Sequence, residues 1–561
     1  MTSKVQKTLL LFVVLGLGLL GGIYASYHGY MSARQARLVK AAKEYLTKPD
    51  PHKAQFCLQL ALRHNNRDVE ACRLMAQLAE AGRSPAALLW RSRVVELNPG
   101  STDDRLALAQ TAMIARDFAS ATNALEGVDA ADQKTAAYHN VAGTVAGAAN
   151  QSALAEAHFL EAARLEPQNA FLQLNLAVVR LRGTNAPSLA EARSSLQQIS
   201  ANTTNSTLRC QALRELTVDS LRVKNLEAAL VLSRQLLQET NSVFRDRLLR
   251  LDVLRETKSA EYKPALATFQ REASTEPGSI AELSRWQMAN TTLAETLAWL
   301  HTLPAGTQTN LAVAMITAEV YTALRDWSGL QAAVEEQNWG ELAFLQHAFT
   351  ARALRGQEFP SAAKGEWELA LEAANSQPAS LGMLLRLAAA WNWQSEEEEV
   401  LWSIVNRYPA ERWAFTALNQ ALFTGGRTRP LMMLYRQELK RSPANLGIMN
   451  NLAMAAFLLT ANELNPHDLA RAVYERAPTN AAFVSTYAFS LHLQDKNAAA
   501  LKIFRTLKEK QLEDPRIAGY YGLVLNATGD KAKAQGYFDS AFKSPMLPEE
   551  RKLFERAKTG I

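Results

Sequence analysis

Cysteine is nearly absent: Cys57, Cys72 and Cys210 are the only three in 561 residues, and none belongs to a CxxC pair. An odd, scattered set supports neither a disulfide framework nor a zinc site, so these are expected to be small core residues, and no metal or cofactor is expected. Glycine (26) and proline (19) are also scarce, which excludes collagen-like and low-complexity architectures and disfavours the turn-rich all-β folds. The marks of catalysis are missing as well. There is no GxxxxGK[ST], HExxH, GxSxG or EF-hand loop, and no two of the nine histidines lie four apart. The chain is therefore expected not to be an enzyme.

Charge is unevenly spread. Lys4, Lys7, Arg34, Arg37, Lys40, Lys43, Lys48 and Lys53 face only Glu44 and Asp50 in the first sixty residues, which accounts for the whole net charge of +6. The remaining body is neutral and lacks the basic footprint that a phosphate backbone needs, so nucleic acid is not an expected partner. From Thr8 to Ala33 there is no Asp, Glu, Lys or Arg, and Leu9 to Ala25 reads LLLFVVLGLGLLGGIYA. As a helix this run would extend roughly 39 Å, enough to cross about 30 Å of hydrocarbon. Tyr24, Tyr27 and Tyr30 fall where an interfacial aromatic belt belongs.

Residues 8–33 are thus expected to form one transmembrane helix that makes this a single-pass membrane protein. A cleaved signal peptide is the competing reading, although Ile23 and Ala25 match a small-x-small cleavage site poorly. Gly16-x-Gly18-x-x-Gly21 imitates a dinucleotide fingerprint, but no strand precedes it. Gly18 and Gly22 would let two such helices approach and form a homodimer. Positive charges flank the run on both sides in similar number, so they set no firm orientation; the body is placed on the extracytoplasmic side.

Beyond residue 35 the hydrophobic pattern is helical, and it repeats. Segments beginning at Asp68, Thr102 and Ala136 form three consecutive units of 34 residues. In the third, Gly143, Ala155, Phe159, Ala162 and Pro167 occupy the eighth, twentieth, twenty-fourth, twenty-seventh and thirty-second places. Small residues at the eighth and twentieth places let two antiparallel helices touch, a large one at the twenty-fourth fills space between hairpins, and proline ends the second helix. Gly82, Ala87 and Pro99 follow the same logic in the first unit, and Gly522, Gly529, Ala534, Phe538 and Ala541 in the last. This pattern closely resembles the tetratricopeptide repeat.

The resemblance implies an all-α fold: an α-solenoid of stacked antiparallel helix pairs, a tetratricopeptide superhelix, preceded by the transmembrane helix. It divides the chain into a tail and membrane helix (1–33), an N-terminal array (34–279), a degenerate segment (280–377), a C-terminal array (378–548) and a capping helix (549–561). In such repeats the first helix of each pair lines a concave groove. The matching positions here are Val69, Cys72, Leu106, Met113, Asn140, Phe171, Leu174 and Val178. This lining is apolar and neutral and lacks the cations with which co-chaperone members of the family clamp a terminal carboxylate. Asn140, Asn175 and Asn451 are placed to bond the backbone of an extended partner.

Two local features have plainer readings. The run Glu396–Glu399 reads as a solvated helix N-terminus. Trp391, Trp393, Trp402 and Trp413 read as core, with an exposed aromatic surface as the alternative. The function implied is a membrane-anchored scaffold or assembly factor that binds protein partners through its groove. The alternatives are an accessory or regulatory subunit of a membrane or envelope enzyme complex, and a secreted solenoid released by signal cleavage. Lipopolysaccharide-assembly proteins of the former kind add a Cys-rich zinc module that is absent here.

Overall fold

A computed structural model describes residues 29–48, 50–82, 84 and 86–560. Most of the expected membrane segment 8–33, with Gly18 and Gly22, lies outside the described residues. Among those described, no helix is long and apolar enough to cross a membrane. Regular structure among them is entirely helical.

The chain divides into two compact units at Trp286/Gln287. In the first, helices pair from 29–47 with Pro51–His64 through to Phe244–Glu256 with Tyr262–Ala273. In the second they pair from Leu311–Leu324 with Trp327–Glu335 through to Pro515–Ala527 with Lys531–Ala541, followed by Pro548–Thr559. Within the second unit Leu311–Leu324 pairs with Trp327–Glu335 and Ala343–Gly356 with Pro360–Ala374, and one apolar core runs from Ala314 to Ala455.

The reason for pairing is local. Asp68, Ser101, Thr135 and Asn169 accept backbone N–H bonds at the starts of four successive first helices. Each such cap contributes about 1 kcal/mol. The other end of the first helix closes on a left-handed residue. Arg116 (φ 59°) donates its N–H to Met113 O, and Asp117 donates to Ala112 O at 2.8 Å, a Schellman closure in which Asp117 also caps the next helix. The same reversal recurs at Asn150, Lys224, Lys258 and Arg325, then at Glu358, Asn392, Gly426 and Thr460, which are spaced 34 residues apart, and at Asp495 and Gly529. The 34-residue period is therefore a period of backbone dihedrals as well as of side chains.

Once reversed, the helices pack closely. A Cβ on Gly143 would lie 2.8 Å from the Phe159 ring, and one on Gly522 would lie 3.1 Å from Phe538. The large residue at the twenty-fourth place thus covers the glycine of its own pair, and Phe159 also reaches Leu176 of the next. Ala155 and Ala534, at the twentieth place, are fully buried.

Successive pairs are joined by polar contacts at nearly the same interval. Arg73 forks onto Asp104 at 2.8 and 2.7 Å, and Arg214 onto Asp246 at 2.6 and 3.0 Å. Asp104 and Asp246 are buried, and Arg73 holds the Asp104 carboxyl below its ordinary value. Trp286 Nε1 donates to Asp252 at 2.9 Å, and Tyr408 Oη to Asn375 O at 2.8 Å. A buried carboxylate without its guanidinium is costly, so each of these pairs fixes the rotation of one hairpin against the next.

The acidic run differs from its expected solvated state. Glu396 is buried and bonds Arg355, whose guanidinium lies 3.7 Å from the Trp393 ring. Burial and the neighbouring Glu396 push the Glu399 carboxyl up. Trp339, Trp367 and Trp393 are core, whereas Trp413 is 47% exposed.

A left-handed residue with a Cβ is strained where glycine is not. Lys258 is exposed, at φ 49°. Lys258→Gly is expected to stabilise the chain by about 0.5–1 kcal/mol, read as a higher denaturant midpoint.

Candidate interaction grooves

The residues expected to line the first unit's groove separate into two groups. Leu106 and Leu174 are 6% and 5% exposed and belong to cores. Leu174, Ala177 and Leu181 recur at helical spacing along one face and pack on Leu196 and Leu216 of neighbouring helices. Cys72 is fully buried. Val69, Met113, Asn140, Asn175 and Val178 are half-buried, and Phe171 is 43% exposed. Asn175 Nδ2 donates to Asn140 Oδ1 at 2.7 Å, so these two amides join adjacent hairpins.

The second unit holds a more developed site. Helices Arg412–Thr424, Leu446–Leu458, Ala481–His492 and Pro515–Ala527 contribute to a partly open cavity of about 480 Å³. Its apolar wall includes Phe423, Leu431, Met454, Leu458 and Ile517. The remaining wall comes from the far end of the chain. After the last hairpin, residues 543–547 lead back across this face: Leu547 joins the core that contains Leu431 and Ile448, and Pro548 approaches Gly426. Glu549 accepts from Thr428 Oγ1, a contact spanning 121 residues. Phe554 packs on Gly519 and Tyr520, which anchors the Pro548–Thr559 helix.

Polar groups inside the cavity are unevenly satisfied. Glu550 accepts from Tyr520 Oη through one oxygen and from the Leu547 N–H at 2.8 Å through the other. Burial raises both the Tyr520 hydroxyl and the Glu550 carboxyl. Tyr435, pushed up to about 12 by burial, donates to Asn419 Oδ1 at 2.6 Å. Asn450 Oδ1 and Ser485 Oγ are buried and have no partner. Of the cavity residues, only Asn451 belongs to the set picked out from the sequence. A signal for the others existed: the pairs Asn450-Asn451 and Ser485-Thr486 interrupt otherwise apolar helices, where such side chains compete with backbone bonding.

No family model matches the chain, and no curated protein matches it. Similar solved structures are helical-repeat proteins at low identity. PilF of Pseudomonas aeruginosa is 13% identical, covering 40% of this chain and 99% of its own, with a TM-score of 0.32. Cut9, in the Cut9–Hcn1 hetero-tetramer of APC/C, is 12% identical over 82% of this chain and 97% of its own, with a TM-score of 0.31. The type IV pilus biogenesis factor PilW is 14% identical over 43% and 94%, with a TM-score of 0.27. At these scores the fold rests on the chain's own hairpins, and the site on its own side chains.

A carboxyl raised by burial keeps its proton in the folded chain at a pH where the unfolded chain has lost it. Stability from Glu550 is thus full below the ordinary value of 4.5 and declines as pH rises through the folded value. Glu550→Gln is expected to gain stability relative to the native chain as pH rises, by about 1 kcal/mol for each unit by which the carboxyl is raised. Melting temperatures of the two proteins at acidic and mildly alkaline pH check this; a pH-independent difference contradicts it.

Proposed function

We propose that this protein is a non-catalytic scaffold that binds protein partners on the inner faces of its helix pairs while the segment 8–33 holds it at a membrane. The observation that carries the binding half is the partly open cavity of the second unit, walled by Phe423, Met454, Leu458 and Ile517. A concave, mostly apolar pocket with a few polar groups on its wall is the kind of surface that takes a partner's side chain. In the first unit, Phe171, Asn175 and Val178 offer a mixed apolar and amide surface on one helix.

The anchoring half is supported by the 26 uncharged residues and the cluster of Arg and Lys that follows them. Tethering raises the effective concentration of membrane partners without any new contact, so modest affinity at each site suffices.

Proximity labelling from the full chain tests both halves. Membrane proteins are expected among the labelled neighbours, and deleting residues 1–28 is expected to cut their labelling at least tenfold. Recovery of a soluble mature chain that lacks those residues contradicts the anchor. Within the first unit Phe171→Asp is expected to reduce partner recovery with helicity unchanged. Leu174→Asp places a charge in a core and is expected to unfold the local hairpins.

A further inference from the structure

We propose that the end of the first helix pair adjoining the uncharged run is a docking surface for anionic lipid headgroups. Its cations are Arg34, Arg37 and Lys40 on the first helix and Arg63 and Arg67 at the close of the second. This rests on the anchoring half of the reading above and names the class of lipid.

The hairpin builds the surface. On the helix 29–47, Val39 and Ala42 are buried and pack with Leu58 and Ala61 of Pro51–His64 and with Ala71 and Leu74 of the next helix. Tyr30, Arg34 and Arg37 recur at helical spacing on a face turned away from Val39 and Ala42, and all three are exposed, as is Lys40. The second helix runs back along the first, so the chain returns to the level of Arg34. There Gln35 Nε2 donates to Asp68, the residue after Arg67. Arg63 and Arg67 are exposed at this same end. Lys43 bonds Glu70 at 2.7 Å, a second tie that holds the helix 29–47 to the next hairpin.

The charge there is not compensated. Lys53 is paired with Asp50 at 2.9 Å and Lys43 with Glu70, but among the described residues no ion pair meets Arg34, Arg37, Lys40, Arg63 or Arg67. Glu44 is the one other acid between residues 29 and 67. It lies ten residues, about 15 Å, along the helix from Arg34. The rest of the body is neutral, so this end carries the positive charge of the described chain.

Position selects the partner. Arg34 is the first residue after the uncharged run, and Lys40 is six residues, about 9 Å, further along the helix. That is close to one Debye length at physiological ionic strength, so these cations stand within reach of a charged interface where the run ends. Exposed guanidinium groups fork onto phosphate oxygens, and each cation so placed favours an anionic surface about fivefold. An acidic segment of a partner protein would answer the same charge, but only a lipid surface explains why the cluster sits directly against the apolar run.

The test reconstitutes the full chain in phosphatidylcholine vesicles, with spin-labelled phosphatidylglycerol and spin-labelled phosphatidylcholine as probes. Phosphatidylglycerol is expected to associate at least threefold more strongly, and the preference is expected to vanish in about 1 M salt, where screening acts over about 3 Å. Arg34→Gln with Arg37→Gln, and separately Arg63→Gln with Arg67→Gln, are each expected to remove at least half of the preference with the melting temperature unchanged. Replacing Lys502, Lys510 and Lys543 by Gln, an equal or larger change of charge at exposed sites of the second unit, is expected to leave it intact. The salt arm needs no variant and holds if one fails to fold. Equal association of the two lipids with the native chain, or a preference that survives the Arg63 and Arg67 substitutions, overturns the inference. So does an unchanged preference in the four-arginine variant accompanied by loss of an acidic protein neighbour. Recovery of the chain free of vesicles, with neither probe retained, overturns the anchor reading itself and this inference with it.

Discussion

The constraint on which the structure depends is the abrupt reversal at the tip of most helix pairs. One left-handed residue closes the first helix, and the next residue begins the second, so the two helices emerge antiparallel with almost no loop between them. Such a reversal leaves room only for small residues where the helices face each other, which is why Gly143 and Ala155 meet Phe159, and Gly522 and Ala534 meet Phe538. A single pair cannot hide its apolar face. Stacking hides it, and a stack has an inner face on which first helices lie side by side.

Most described contacts link a pair with its immediate neighbours, and the polar bonds between pairs repeat at about the same interval as the turns. Stability in such an array is a sum of local terms, so a functional surface can be altered in one place without disturbing distant pairs. The strap from Leu547 to Glu550 departs from that rule. It ties the last hairpin to one that begins at Arg412, and in doing so makes a cavity out of a groove. The site owes its shape to this long-range contact and its chemistry to polar residues set in apolar helices.

How much of this was legible in the sequence follows from the range of each interaction. Gly143, Phe159 and Pro167 sit at fixed offsets within one hairpin, so spacing alone revealed the pairs. The turns were less visible because their left-handed positions hold Arg116, Lys224, Glu358 and Thr460 and seldom glycine. Counting along a helix misplaced Leu106 and Leu174, since an offset of one residue turns a side chain by about 100° from groove toward core. Glu396 read as solvated because Arg355, which buries and neutralises it, lies on another hairpin. The strap was out of reach for the same reason in stronger form: nothing near Leu547 in the sequence points to Thr428.

The central claim is that each hairpin is held by its neighbours through close helix contact, and that the cavity belongs to the last few. Hydrogen–deuterium exchange along the full chain of Gly522→Val tests it directly, because a Cβ there would press on Phe538. The account predicts faster exchange in residues 446–559, including the cavity helices and the strap, with protection of residues 69–273 unchanged. Uniform loss of protection along the whole chain, or none in residues 446–492, would contradict it.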